Sequence, residues 1–359
     1  MAQKILELKP NKPELLPRKR RPKLAGRGLA IAALVFILLN LLIGLFEPYF
    51  MGVARYDKQY NLTRLVDYYN APRPEIMFMG SSRVLSGLNP VVAAQELEQA
   101  GLGKRAILNL AVTGSSIDLN YLILKNIIKD DKKPAMIVYG ITETEFNSGR
   151  AMFDYDEYFG LAERLDDFGN YSGDTLTKKV SFVLKQLLPL YRDHDILRLA
   201  FNIQFNPGDA YHKSYLSGPQ QWKPDPGGYF SYYPTGVYLP PDARIKPLLQ
   251  NYQYQGYRLD RLHDFLKLAK ARDIKVLLVN MPVLPATIAM WPGPAELATY
   301  YKFLQEQARQ FELPYLDLYQ GEKFLTEADF WDSSHLNEQG AEKLTRLVTR
   351  QLLLEQLKP

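Results

Sequence analysis

The sequence predicts an α/β protein: a three-layer α/β/α arrangement around a parallel sheet, interrupted by a long insertion and preceded by one N-terminal transmembrane helix. Three observations lead there. Short apolar runs ending in turn residues alternate with helical patterns on both sides of residues 144–255, and inside that stretch the rhythm stops. Neither flanking half has enough strands for a sheet of its own, so 144–255 reads as an insertion into one sheet rather than a linker between two. Leu29–Phe46 carries no charged residue and directly follows a cluster of cations.

From the N-terminus, residues 1–28 read as a basic cytoplasmic tail. The first 27 residues hold nine cations and two anions, a net of +7 against +5 for the whole chain, which leaves −2 for the rest. A near-neutral body offers no surface for tracking phosphates, so nucleic acid is not an expected partner. Pro10, Pro13, Pro17 and Pro22 suit disorder in this tail. Residues 29–50 are the expected anchor. The uncharged run spans roughly 27 Å at about 1.5 Å per residue, close to the ~30 Å of bilayer hydrocarbon. Asn40 is its only strongly polar side chain. The run exceeds the ~7–15 apolar residues of a cleavable leader, and no convincing small-x-small cleavage site follows it. The cations at Arg18–Arg27 then place the N-terminus in the cytoplasm and the rest outside, as a single-pass cell-membrane protein.

Residues 51–73 read as a helical neck and 74–359 as the extracytoplasmic domain. Glu75–Met79 is a buried strand ending at Gly80. Pro90–Ala100 is a helix with Asn89 as its cap. Strand Arg105–Leu110, helix Ser116–Lys129 and strand Ala135–Tyr139 follow. Beyond the insertion come helix Tyr257–Arg272, strand Lys275–Asn280, helix Pro294–Phe311, strand Tyr315–Leu318 and helix Glu338–Glu355. Near-continuous apolar strands of this kind belong to a parallel sheet covered on both faces.

Composition narrows the chemistry. With no cysteine, disulfides, thiolate catalysis and Cys-ligated metals are excluded, and four histidines leave little for an imidazole metal site. No metal or cofactor is expected. Ligands of open α/β sheets bind beyond the carboxyl ends of the strands, which singles out Gly80–Arg83, Ala111–Gly114, Gly140–Glu143, Met281–Pro282 and Asp329–His335. Ser82 lies in the first of these. Asp332 and His335 lie in the last, spaced so that a carboxylate can orient an imidazole toward a serine. The D-x-x-H spacing also occurs at Asp209/His212 and Asp260/His263, but only Asp332/His335 falls at a strand end. Its plain alternative is a helix-start pair, with Asp332 or Ser333 as a cap.

Taken in order, four blocks resemble the SGNH (GDSL-like) hydrolase superfamily, whose domain is flavodoxin-like. Phe78–Arg83 (FMGSSR) is similar to its first block, Asn109–Ser116 (NLAVTGSS) to its second, and Asp332–Gly340 (DSSHLNEQG) to its last, while Tyr139–Glu143 (YGITE) occupies the third block's place. The resemblance covers roughly 74–143 and 257–355 and not the insertion. It implies Ser82 as nucleophile, Asp332 and His335 as the rest of a triad, and an oxyanion hole from the amides of Ser82 and Gly114 plus a third-block side chain. Thr142 stands where that family has Asn, so either its hydroxyl substitutes, or Asn147 or Asn280 moves in. Arg83, Glu143 and Asn280 are candidate substrate contacts, although a surface ion pair between Arg83 and Glu143 is the plainer reading of those two.

The expectation is therefore a serine esterase or O-acyltransferase acting on acyl, above all acetyl, esters of a cell-surface or secreted glycan. A glycan or acyl-donor substrate and a membrane acyltransferase partner are implied by the resemblance to membrane-anchored bacterial proteins of polysaccharide acylation. The alternative is a non-catalytic module that binds glycan or a partner in polysaccharide assembly. Nine tyrosines between Tyr211 and Tyr257, with Trp222, suit sugar stacking, or equally the anchoring of a long irregular segment.

Overall fold

The computed structural model describes residues 24–54, 65–148, 160–171, 175–205, 227, 229 and 245–357. Five parallel strands form one sheet: β1 (Ile76–Gly80), β2 (Ile107–Asn109), β3 (Met136–Ile141), β4 (Lys275–Asn280) and β5 (Tyr315–Asp317), in the order β2-β1-β3-β4-β5. β1 pairs β3 with Phe78 opposite Val138 and Gly80 opposite Gly140, and β3 pairs β4 with Ile141 opposite Asn280. The two halves of the chain thus join at β3 and β4, across residues 142–274. The strand order reverses between β1 and β3, where a doubly wound sheet opens its crevice.

Alternation within each strand divides the core in two. Met77, Met79, Ile137, Tyr139 and Leu278 face one side, against helices that include Leu262 and Phe265. Ile76, Phe78, Val138, Leu277 and Val279 face the other, against Val84, Leu97 and Leu344. Both faces are covered, so the strands are apolar throughout, as a parallel sheet requires.

The helices are α1 (Leu24–Ala54), α2 (Leu65–Asn70), α3 (Ser82–Gly87), α4 (Pro90–Gln99), α5 (Ile117–Leu122), α6 (Leu176–Leu187), α7 (Pro189–Arg192), α8 (His194–Phe205), α9 (Tyr257–Ala271), α10 (Pro294–Gln310) and α11 (Glu338–Val348), besides shorter turns. Asn89 caps α4 as expected, accepting from Val91 N at 2.9 Å. The predicted helix at Ser116–Lys129 starts one residue late and passes into a π turn at Ile123–Ile127, and that at Glu338–Glu355 has a π turn at Thr349–Leu353. α1 runs through the uncharged segment and on to Ala54, into the expected neck. Arg27–Val53 is long and apolar enough to cross a membrane.

Described parts of the insertion return to the sheet. The Gly227 carbonyl accepts from Asn109 N at 2.7 Å on the edge of β2, and Tyr229 is fully buried. Tyr252 stacks on Trp291 and Tyr254. At these positions the aromatic rings are anchors. Tyr211, Tyr215, Trp222, Tyr232, Tyr233 and Tyr238 lie outside the described residues.

Candidate active site

β1 ends at Gly80, and the chain turns at once into α3, whose first residue is Ser82. The turn is tight enough to demand glycine. Gly80 has φ +141°, and a Cβ there would sit 2.5 Å from the Gly140 carbonyl oxygen and 2.7 Å from a Val84 methyl. Gly140 is as confined, since its Cβ would meet Val84 at 2.2 Å. The two facing glycines let α3 pack directly over the strand ends, and Ser82 stays half-exposed at the rim.

Asn109 then clamps α3. Its Nδ2 donates to the carbonyls of Val84 (2.9 Å) and Leu88 (2.8 Å), and its Oδ1 accepts from Ala111 N (3.0 Å). It is fully buried at the end of β2. This positioning residue opens the second block but was not singled out by sequence reasoning. A lone Asn ending a strand carries no signal beyond the block itself. The next loop is tied to β1: Val112 N (3.0 Å) and Ser115 Oγ (2.7 Å) both donate to the Gly80 carbonyl. Gly114 lies in this loop with φ +70°, two residues past Val112.

The last block supplies the imidazole. Ser82 Oγ lies 2.8 Å from His335 Nε2, and His335 Nδ1 lies 2.7 Å from Asp332 Oδ2. A hydroxyl and an imidazole 253 residues apart in the chain meet at one rim of the sheet. Asp332 is held in turn: its Oδ1 accepts from the amides of Ser334 and His335, each at 2.7 Å. Burial works to raise this carboxyl, but the hydrogen bond and charge of His335 and those two amides outweigh it and bring it down to about 2. The Asp is therefore a fixed carboxylate held against the His335 ring. The Ser333 carbonyl accepts from Leu284 N (2.9 Å) and Thr287 Oγ1 (3.0 Å), which ties the loop to the segment beyond β4. The cap of α11 is Asn337, whose side chain accepts from Gly340 N, and not Asp332 or Ser333.

The other predicted site residues fall differently. Arg83 and Glu143 do pair, but the pair is buried rather than on the surface, with side-chain exposures of 7% and 0%. The guanidinium is bidentate, with Nη2 2.6 Å from Glu143 Oε1 and Nη1 on Oε2. Both terminal nitrogens are committed to the carboxylate, so neither residue stands open as a substrate clamp. The bridge instead ties α3 to the segment after β3. Asn280 is corrected as a substrate contact or oxyanion donor: it is fully buried, donating to Asp317 Oδ1 (2.9 Å) and accepting from Tyr300 Oη (2.9 Å). Asn147 is likewise engaged with the carbonyls of Leu248 and Gln250 and the amide of Gln253. Thr142 is left at the third-block position, buried at the end of β3, with its amide 3.3 Å from Glu145 Oε2.

Glu145 itself went unremarked in the sequence. It is fully enclosed, and burial pushes its carboxyl up to about 8, against the opposing hydrogen bonds from Tyr139 and the Thr142 amide. Its backbone carbonyl accepts from Arg258 at 2.9 Å. Of the other D-x-x-H pairs, His263 on α9 bonds Gln307 (2.8 Å) and packs on Phe311, while His212 lies outside the described residues.

No protein-family model matches the chain, and no curated protein matches it. Among solved structures it is similar to a protein of Bacteroides fragilis NCTC 9343 described as an acylhydrolase, with a TM-score of 0.38 and 12% identity over 84% of this chain and 99% of that one. It is also similar to a GDSL-like lipase of Bacteroides thetaiotaomicron VPI-5482, with a TM-score of 0.37 and 12% identity over 85% of this chain and 99% of that one. At these values the likeness says nothing of activity.

Proposed function

We propose that the chain is an SGNH-type serine esterase or O-acyltransferase, held outside the cell membrane by α1, that acts on acyl esters of a cell-surface glycan. The observation that carries the enzymatic reading is the unbroken chain of short hydrogen bonds from Ser82 Oγ through His335 to Asp332 at the carboxyl rim of the sheet. Ser82 Oγ attacks the ester carbonyl as its proton passes to His335 Nε2, and Asp332 steadies the imidazolium that forms. The amides of Ser82 and Gly114 and the Thr142 hydroxyl hold the developing oxyanion. Collapse of the tetrahedral intermediate breaks the ester C–O bond. His335 returns the proton to the leaving alcohol, and the acyl group stays on Ser82. Water or a glycan hydroxyl then takes the acyl group by the same steps in reverse.

Retention of the anchor is supported by its contacts with the rest of the chain. Asn40 accepts from Leu190 N at 3.1 Å, and Glu47 pairs with Arg192 at 2.5 Å. A helix removed as a leader would leave both partners behind. The cations before it support a cytoplasmic N-terminus.

The test is turnover of p-nitrophenyl acetate by the full chain in detergent, comparing wild type with Ser82→Ala. Loss of activity in the variant is expected. Equal rates would favour a non-catalytic glycan- or partner-binding module, a reading that draws on Thr142 standing in the asparagine's place.

A further inference from the structure

α6, α7 and α8 of the insertion contain features that the proposed chemistry does not use. α7 packs along one face of α1, at positions 40, 44 and 47. Leu190 N donates to Asn40 Oδ1 (3.1 Å), a Cβ on Gly44 would stand 3.3 Å from Pro189 Cγ, and Arg192 Nη2 bonds Glu47 Oε2 (2.5 Å). Asn40 is only 6% exposed, whereas Leu39 and Leu41 beside it are 45% and 64% exposed. The one strongly polar side chain of the apolar run is therefore satisfied by its own helix, where Nδ2 donates to the Phe36 carbonyl (2.9 Å), and by the insertion.

Depth follows from helix geometry. Asn40 lies six residues before Phe46, the end of the uncharged run, or roughly 9 Å along the axis at about 1.5 Å per residue. If α1 crosses a bilayer, Leu190 lies about that far inside its apolar layer, and Pro189, against Gly44, about 3 Å inside.

α6 fits the same setting. Leu176, Val180, Val183 and Leu187 recur at helical spacing and make one stripe, with Lys178 and Lys185 on the opposite side and Lys179 at its flank. The stripe faces outward: Leu176 is 78% and Leu187 59% exposed. On α8, Phe201 and Phe205 pack ring to ring (4.6 Å) and are also exposed. An amphipathic helix in water turns such a stripe inward, since burying large apolar side chains is favourable. Here the stripe is presented outward beside a membrane-spanning helix, with cations on the other side, in the manner of helices that lie in a membrane interface.

We propose that α6–α8 are seated in the outer leaflet beside α1, with lipid acyl chains covering Leu176, Val180, Leu187, Phe201 and Phe205. The inference rests on the reading of α1 as a retained anchor. The chain would then hold its catalytic domain against the bilayer at two places, which fixes the height and tilt of the Ser82 rim above the membrane.

The chain has no cysteine, so single-cysteine variants of the full protein report cleanly. Leu187→Cys and Phe205→Cys, labelled with the environment-sensitive fluorophore NBD, are reconstituted into phosphatidylcholine/phosphatidylglycerol vesicles with and without doxyl-labelled lipid. Leu38→Cys reports the anchor, and Lys323→Cys, exposed in the turn after β5, reports water. The expected result is blue-shifted emission at 187 and 205, with at least half of it quenched by doxyl lipid, as at 38 and unlike 323. Quenching at 38 alone overturns the proposal and leaves the anchor standing, whereas no quenching at 38 overturns both. A blue shift at 187 and 205 without quenching means that protein, such as a second copy, covers the face, and also overturns it.

Discussion

Two corners of the same sheet rim are built on opposite plans. At the triad corner, Ser82, His335 and Asp332 are half-exposed, and the paired imidazole and carboxylate are three apart in the chain. At the third-block corner, Glu143 and Glu145 are buried, and their cationic or hydroxyl partners Arg83, Tyr139 and Arg258 come from three other elements. The first corner presents the groups proposed to react; the second ties together the elements that carry them. Reacting groups need access to substrate, whereas a support is strongest where water cannot compete for its hydrogen bonds.

Substitutions separate the two plans. The largest effect belongs to Ser82→Ala, which should lower kcat/KM for p-nitrophenyl acetate by ~10⁴-fold or more with no change in melting temperature. Asp332→Asn should cost on the order of 10³–10⁴ in kcat, because the imidazole loses the carboxylate that fixes its tautomer. It should also flatten the acid limb of stability. The Asp332 carboxyl is depressed from 3.8 to about 2, so its contribution is full above pH 3.8 and lost as pH falls through about 2. Chemical denaturation at pH 2 and pH 6 reads this difference.

At the other corner, Glu143→Gln leaves Arg83 buried without its countercharge and should destabilise the fold by about 3–5 kcal/mol. Activity should fall only as far as α3 shifts. A variant that kept wild-type stability but lost activity would move Glu143 into the reacting set. Thr142→Val tests the meeting point of the two plans: an oxyanion hydroxyl there predicts a loss of about 10²-fold in kcat with KM little changed, and Thr142→Ser should restore most of it.

A dependence on pH sharpens the comparison most. Glu145 keeps its proton in the fold up to about pH 8, although it would ionise near 4.5 when unfolded. The folded state binds the extra proton, so stability falls as pH rises from 4.5 to 8. Glu145→Gln removes this dependence, and its melting temperature should gain on wild type between pH 5 and pH 8.5. A constant difference across that range would mean that Glu145 is ionised in the fold.

The same contrast explains what could be read from the chain. The strands were legible because a sheet buried on both faces needs unbroken apolar runs, and Asp332/His335 because the pairing is local. α3 was not, since a six-residue helix opening immediately after Gly80 is too short to show periodicity. The pairing of Arg83 with Glu143 was anticipated, but its burial was missed because charged residues are ordinarily at the surface. The clamp by Asn109 and the diversion of Asn147 and Asn280 into structural bonds are likewise contacts across the fold. α6 is a different case: its stripe at 176, 180, 183 and 187 was present in the sequence, inside a stretch read as loss of rhythm.

The most direct measurement of the central claim is covalent labelling of the full chain with a fluorophosphonate probe, mapped by peptide mass. A single adduct on Ser82, lost in Ser82→Ala and slowed by at least ~10²-fold in His335→Ala, is the predicted result. An adduct on another serine, or none on folded protein at saturating probe, would contradict it.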